Sequence, residues 1–412
     1  MSEIRILSPE DFDALVHIFV NAYPGLKIED RARFKERVLK LHQEEPTANF
    51  YGLFRNGQLL GIMCLYGFQM NFLNVHIPAG GVGQVAVHLA HKKEHVCKEM
   101  ILYFLRRCRK RATPFAALYP FRPDFYRQMG FGYGTKMNRY RVKPIHLPKG
   151  PSKAHVRYLT NDDREALRDC YQRVAVRTHG MMDKGERELR GIFDRAAHRI
   201  VGCIQEGLVR GYLVFSFEHG QDFITNDILV KEFIVETPEA SSELLTFLQS
   251  QADQIQRITF ETQDEDFHHL LLDPRNDSGR LFSSVYHETN AQGVGLMYRV
   301  IDIAGMFDLL AERDFGGQTC ILKLTIEDSF LPENAGSILL RFKEGFVRRL
   351  EDGEPDVEVG LDIAEFSSLL AGTVSFRSLY RYGLVDISDL AYVDTINHIF
   401  AVQQKPMCTT QF

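Results

Sequence analysis

The chain has 412 residues, of which 45% are apolar and 25% charged. That composition excludes a disordered chain and, at roughly 100–200 residues per domain, predicts two to four domains. A formal charge of −5, from 49 basic and 54 acidic side chains, is too balanced for a dedicated nucleic-acid binder. No apolar run approaches the ~20 residues that span a bilayer. The N-terminal Met1-Ser2-Glu3-Ile4-Arg5 lacks a basic region followed by an apolar stretch, so no signal peptide is expected. Seven cysteines, scattered without a CxxC pair, argue against a disulfide framework and for a reducing, cytoplasmic location.

In chain order, Ile4–Leu7 reads as a strand. Ser8, with Asp11 three residues on, can cap a helix carrying Phe12, Leu15, Ile18 and Phe19 at helical spacing. Phe50–Phe54 and Leu59–Gly67 flank Asn56-Gly57, a hairpin signal. Gln69–Pro78 reads as a third strand and Gly80–Val87 as a fourth. His91–Lys110 reads as one helix, with Val96, Met100, Tyr103 and Phe104 on its apolar face and a basic last turn. Phe115–Tyr119 is a strand, Asp124–Met129 a short helix, and Gly130–Gly134 a turn into Met137–Val142. Pro144, Pro148, Gly150 and Pro151 mark a linker.

A second pass then repeats the first at an offset of about 150 residues. Arg5-Ile6-Leu7-Ser8 recurs as Arg157-Tyr158-Leu159-Thr160, each with an aspartate to follow, Asp11 and Asp163. Gly57 and Gly61 recur as Gly207 and Gly211, and Gln84–Val87 aligns with Phe233–Glu236. The last part of the chain differs. Ile301–Leu310 starts a helix, Cys320–Ile326, Ser337–Phe342 and Glu358–Asp362 read as strands, and Ile363–Leu370 and Asp386–Phe400 as helices. The expected domains are 1–150, 151–298 and 299–412.

Several chemistries lack their residues. There is no GxxxxGK[ST], no HExxH, no Cys/His array with zinc spacing and no GxSxG. His268-His269 are adjacent and would point to different faces of a helix, so no metal site is expected. Gly80-Gly81-Val82-Gly83 precedes a strand rather than a helix and fails the context test for a dinucleotide fingerprint. What remains is the passage from Gly80–Val87 through a turn with Lys92 and Lys93 into a helix. A strand that stops at a helix N-terminus offers backbone N–H groups and a positive dipole end, a geometry that binds pyrophosphate.

That passage resembles the acetyl-CoA motif of GNAT-superfamily acetyltransferases. More narrowly, Ala79-Gly80-Gly81-Val82-Gly83-Gln84-Val85-Ala86-Val87, Phe125-Tyr126-Arg127-Gln128-Met129-Gly130-Phe131-Gly132-Tyr133 and the tail Pro406-Met407-Cys408-Thr409-Thr410-Gln411-Phe412 resemble the enhanced intracellular survival (Eis) acetyltransferases. The resemblance implies an α/β (α+β) chain: a GNAT domain, a degenerate second GNAT domain and a sterol carrier protein-like domain. It implies acetyl-CoA as co-substrate and a hexameric assembly. It implies that Val85, Ala86 and Val87 present backbone to the pantetheine arm, as an added strand would. Lys92, Lys93, Glu94, His95, Val96, Cys97 and Lys98 would hold the pyrophosphate, and Phe121 and Arg122 would lie near the adenosine-diphosphate side.

The turn departs from the family's Arg-Arg-x-Gly. Lysines keep the charge without the bidentate fork, His95 stands where a glycine lets backbone approach phosphate, and Glu94 adds a negative charge. The repeat's turn, Thr237-Pro238-Glu239-Ala240-Ser241-Ser242, holds no basic residue, so no cofactor is expected there.

Acetyl transfer to an amine needs a base for the amine and a proton for the departing thiolate. Gly80–Val87 contains no carboxylate. The resemblance implies that the terminal carboxylate of Phe412 is the base, with the phenylalanine ring as an apolar anchor, and that Tyr126 is the acid. A phenol with a reference pKa of about 10 is protonated at neutral pH. The acceptor class implied is aminoglycoside-like or polyamine-like, with protein lysine as the alternative. Glu29 and Asp30 are candidate anionic walls. A binding or scaffold protein with a decayed GNAT site is the competing reading, and Glu94 and His95 favour it.

Overall fold

The computed structural model describes residues 2–220 and 225–412. It divides the chain into two compact units: Met1–Gly134 with Leu296–Lys405 and Phe412, and Thr135–Gly295 with Pro406–Gln411.

The chain begins in the first unit with β1 (Ser2–Ile6), α1 (Phe12–Ala22), α2 (Arg31–Glu44), β2 (Ala48–Arg55), β3 (Gln58–Phe72), β4 (Val75–Val87), α3 (Val96–Lys110), β5 (Phe115–Leu118), α4 (Pro123–Arg127) and β6 (Gly132–Tyr133). Two expectations need correction. Leu59–Gly67 and Gln69–Pro78 are not two strands: β3 runs unbroken to Phe72 and β4 begins at Val75. The chain reverses at Leu73-Asn74, both at positive φ (55° and 68°), the geometry of a tight primed turn. The helix also starts later than His91. Leu89–His91 is a 3-10 turn and α3 begins at Val96. Its apolar face is otherwise as read: Val96, Met100 and Phe104 are buried, with Ile101, Leu105 and Cys108 beside them. Full burial of such a side chain contributes about 1.5–3 kcal/mol.

The second unit holds β7 (Met137–Val142), β8 (Val156–Tyr158), α5 (Arg164–Ala175), α6 (Glu186–Phe193), β9 (His198–Gln205), β10 (Leu208–His219), β11 (Asn226–Val235), α7 (Pro238–Gln249), β12 (Ile255–Thr262), a small hairpin β13 (Leu281–Phe282) and β14 (Tyr286–His287), and β15 (Asn290–Gly293). The chain then returns to the first unit as β16 (Met297–Val300), α8 (Ile303–Leu309), β17 (Cys320–Glu327), β18 (Gly336–Lys343), β19 (Phe346–Leu350), β20 (Val357–Asp362), α9 (Ile363–Leu370), α10 (Phe376–Arg381), β21 (Asp386–Ile387) and α11 (Val393–Ile399). Asp386–Phe400 is therefore not one helix; a short strand and a 3-10 turn precede α11.

The duplication is visible strand by strand. The first sheet has the order β1-β2-β3-β4-β5-β16-β6 and the second β8-β9-β10-β11-β12-β7-β15. Arg5 pairs with Asp11 at 2.8 Å and Arg157 with Asp163 at 2.6 Å. The turn residues Asn56-Gly57 and Glu206-Gly207 all have positive φ. Register corrects the sequence alignment by one: Gly61 faces Val87 and Gly211 faces Val235, so Val87 corresponds to Val235 and Gln84 to Glu232. At the sixth position the repeats exchange strands. β16, which follows the second repeat in sequence, lies between β5 and β6. β7, which follows the first, lies between β12 and β15. The third sheet, β19-β18-β17-β20-β21, belongs to the first unit. There the Arg299–Asp328 pair, at 2.7 Å with both side chains 0% exposed, ties β16 to the loop after β17. Breaking such a buried pair costs about 3–5 kcal/mol.

Candidate active site

The site forms where the first sheet opens. β4 pairs in parallel with β5 only at Ala79–Phe115, Gly80–Ala116 and Gly81–Ala117. β5 stops at Leu118, whereas β4 runs on to Val87 with β3 alone beside it. Register slips between Ile62 and Cys64 of β3, opposite Gln84, which sits at φ +52°. This bulge turns the end of β4 away from β5 and leaves one edge of Val82–Val87 without a strand partner.

Phe412 lies at this opening. A Cβ on Gly83 would stand 2.9 Å from its carboxyl carbon, and one on Gly81 3.0 Å from its ring. Its ring is 5.0 Å from Phe68, 5.3 Å from Tyr119 and 5.6 Å from Tyr66, centroid to centroid. Among the described residues no cation pairs with the carboxylate. Gly81 and Gly83 alternate on one face of a strand and clear room for the terminus. That spacing is readable in the sequence as Gly80-Gly81-Val82-Gly83.

Tyr126 approaches from the other face. It is 3% exposed in the core beneath α3, whereas Phe412 packs against the core beneath α1 and α2. The rings of Phe121, Phe125 and Phe131 surround it, and its phenol has no hydrogen-bond acceptor among the described residues. Burial, with the nearby Cys97 and Tyr23, pushes its pKa well above the ordinary phenol value, so it holds its proton throughout the neutral range. Burial pushes the Cys97 thiol up to about 12, which removes it as a nucleophile near neutrality.

Sequence reading missed Tyr23. Its hydroxyl donates to the Val85 carbonyl at 2.6 Å, so that carbonyl is engaged rather than open. Burial raises the Tyr23 phenol to about 12, which keeps it a donor. Nothing local in the sequence pairs residues 23 and 85; the contact depends on how α1 lies on the sheet.

At the turn, Lys92, Lys93, Glu94 and His95 are exposed, Val96 is buried, and Cys97 and Lys98 are half-buried. Lys93 and His95 both have positive φ, 69° and 62°, the conformation that glycine tolerates best. The His95 side chain makes no cap on α3. The N–H groups of Val96, Cys97 and Lys98 have no acceptor among the described residues, and Lys92, Lys93 and Lys98 pair with no carboxylate there. Glu94 accepts from Arg55 at 3.3 Å and lies 3.1 Å from the His91 ring nitrogen. Arg55, which also meets Glu99 at 2.6 Å, thus offsets the charge that Glu94 brings. These groups fit a pyrophosphate.

Phe121 meets the Tyr126 ring edge-on and is otherwise 63% exposed, and Arg122 pairs with Asp124. Asp30 caps α2 through the Arg33 N–H at 2.9 Å; Glu29 is exposed. No group of His, Cys, Asp and Glu among the described residues could hold a metal.

Residues 3–134 and 174–300 each match a family described as an acetyltransferase (GNAT) domain, and residues 308–409 match a sterol carrier protein domain. No curated protein sequence matches. Among solved structures, a GCN5-related N-acetyltransferase from Anabaena variabilis ATCC 29413 aligns with a TM-score of 0.84 at 18% identity. A probable N-acyltransferase of unknown function from Enterococcus faecalis V583 aligns at 0.82 and 20%. Eis1 from Mycobacterium abscessus aligns at 0.77 and 20%. Each covers 100% of both chains. At this identity the likeness is one of fold.

Proposed function

The chain belongs to the GNAT acetyltransferases, with a duplicated acetyltransferase domain and a C-terminal sterol carrier protein domain, and from that premise we propose that its first domain transfers the acetyl group of acetyl-CoA to an amine, with the Phe412 carboxylate as base and Tyr126 as acid. The observation that carries this reading is the Phe412 carboxyl group over Gly83, beside the parting of β4 and β5. The strand itself holds no carboxylate, and the chain's own end brings one to it.

Acetyl-CoA supplies an activated thioester. The edge of Val82–Val87 that no strand pairs is offered to its amide-bearing arm, with the Val85 carbonyl already taken by Tyr23, and the uncapped start of α3 with Lys92, Lys93 and Lys98 faces its phosphates. The carboxylate takes the proton that the amine loses as nitrogen bonds to the acetyl carbon. The Tyr126 phenol gives its proton to sulfur as the carbon–sulfur bond breaks. The acceptor is a small cationic amine, aminoglycoside- or polyamine-like, with a protein lysine as the alternative. The competing view of a decayed site rested on Glu94 and His95. The pairing of Glu94 with Arg55 and His91 weakens it, because the turn stays basic. Seven free cysteines are in keeping with a reducing cytoplasm, and no helix among the described residues is long and apolar enough to cross a membrane. The hexamer is a proposal from resemblance, tested by sedimentation velocity.

The test is calorimetric titration of acetyl-CoA followed by thiol-release assays with an aminoglycoside, a polyamine and a lysine peptide. Binding with turnover on the small amines supports the reading; absence of acetyl-CoA binding removes it.

A further inference from the structure

Residues 406–411 pack in the second unit, while Phe412, one peptide bond on, packs in the first. Gln263, just past the carboxyl end of β12, accepts the Cys408 N–H at 2.5 Å. The Met407 N–H donates to the His179 carbonyl at 2.8 Å. The Thr409 hydroxyl lies 3.3 Å from the Tyr171 phenol, and Arg187 donates to the Gln411 carbonyl at 3.3 Å. Gly180, at φ +94°, is pressed so closely that a Cβ would stand 2.6 Å from Pro406. Cys408 and Thr410 are buried.

This seat has a counterpart in the first repeat. Tyr171 is on α5, the equivalent of α1. Its core with Leu167, Ile200 and Val214 corresponds to the one beneath α1 and α2 against which Phe412 packs. Gln263 lies just past β12, as Tyr119, a neighbour of Phe412, lies just past β5. The second sheet also parts: β11 pairs with β12 only as far as Val230–Phe260. The polar groups of that corner are closed on one another. Lys184 meets Glu232 at 2.7 Å, and Tyr212 donates to the same carboxylate at 2.8 Å.

We propose that the second repeat has become a seat for the chain's own tail, binding residues 406–411 and thereby fixing the Phe412 carboxylate, with Gln263, Tyr171 and Arg187 as positioning residues. Chain ends fray unless tied down, and a base on a frayed end is in place for only part of the time. The proposal rests on the assignment of Phe412 as base.

The experiment is timed release of phenylalanine from the native full-length protein by carboxypeptidase, with kcat and the acetyl-CoA KM measured alongside. In Gln263→Ala/Arg187→Ala, release should quicken at least tenfold and kcat fall by a similar factor, with the acetyl-CoA KM unchanged. Thr409→Ala/Thr410→Ala, which alters only the tail, should do the same and keeps the test valid if the first variant folds poorly. Unchanged release in both variants overturns the seat, and quickened release with unchanged kcat overturns the positioning role. If instead deletion of Phe412 leaves turnover intact, the base assignment is what fails, and the release rates still decide whether the tail is seated.

Discussion

In the first repeat the helix after the fourth strand begins at His95, whose side chain caps nothing. In the second it begins at Thr237, whose hydroxyl takes the Ala240 N–H at 3.2 Å, with Pro238 removing a further donor. One start is open and carries lysines; the other satisfies itself. The strands contrast in the opposite sense. Gln84 of β4 corresponds to Glu232 of β11, so the repeat with the open helix lacks a strand carboxylate. The repeat with the closed helix keeps one, held by Lys184 and Tyr212. An open helix start and a strand carboxylate are separable parts of this fold, and each repeat has one of them. On the proposed reading, the chain terminus supplies the first repeat with the carboxylate that its strand does not carry.

The largest test of that contrast is removal of the terminal base. Deleting Phe412, or extending the chain beyond it, should lower turnover about 10²–10⁴-fold, the usual scale of general acid–base catalysis, with the acetyl-CoA Kd unchanged. Tyr126→Phe should act alike, and the two losses should be less than additive. A tagged protein with full activity would break the comparison at its first term.

Next comes the turn. Lys92→Ala/Lys93→Ala should raise the acetyl-CoA Kd at least tenfold, since each charge-assisted bond contributes roughly 1.5–3 kcal/mol. Calorimetry should find one site per chain, and a stoichiometry of two would show that the second repeat binds too. His95→Gly should tighten binding a few-fold by removing the side chain that keeps the backbone from the phosphate, read from the same titration.

Proton accounting gives a flatter expectation. Because burial raises Tyr126 well above the phenol range, it stays a donor as pH rises, and kcat should hold level to about pH 9. A fall near neutrality would point to another acid. The smallest effect belongs to what the repeats share. Asp11→Asn and Asp163→Asn should each cost about 1 kcal/mol in denaturant melts, a cap-sized loss. Arg157 holds the Asp163 carboxyl down at about 2. The protection it gives is therefore present above the ordinary carboxylate range and lost progressively as pH falls from that range through about 2.

The repeat and the basic turn were legible because each is a local signature: paired hairpin glycines, and a strand meeting a helix. Tyr126 and Phe412 entered through the family resemblance alone, since neither a tyrosine on a short helix nor a terminal aromatic announces a role by itself. Tyr23 on Val85, Arg55 on Glu94 and the placing of Met137–Val142 in the second sheet were not legible. Each joins residues far apart in the chain, and alternation along a strand says which face is buried without naming its neighbour. Asp30, read as a candidate anionic wall, also caps α2 through the Arg33 N–H, a structural role that its sequence position alone does not separate from a functional one.

The exchange of β7 and β16 bears on how the protein is made. Until Met297–Val300 leaves the ribosome, the sheet begun at Ser2 has no strand to set between β5 and β6. A nascent chain halted at the proline-rich segment near Pro148 would carry β7 without its partners and an open edge beside β5. Closing so distant a pairing is slow. Synthesis therefore leaves that edge unpaired until the second repeat has also been made, and the first acetyltransferase fold cannot close its sheet before then.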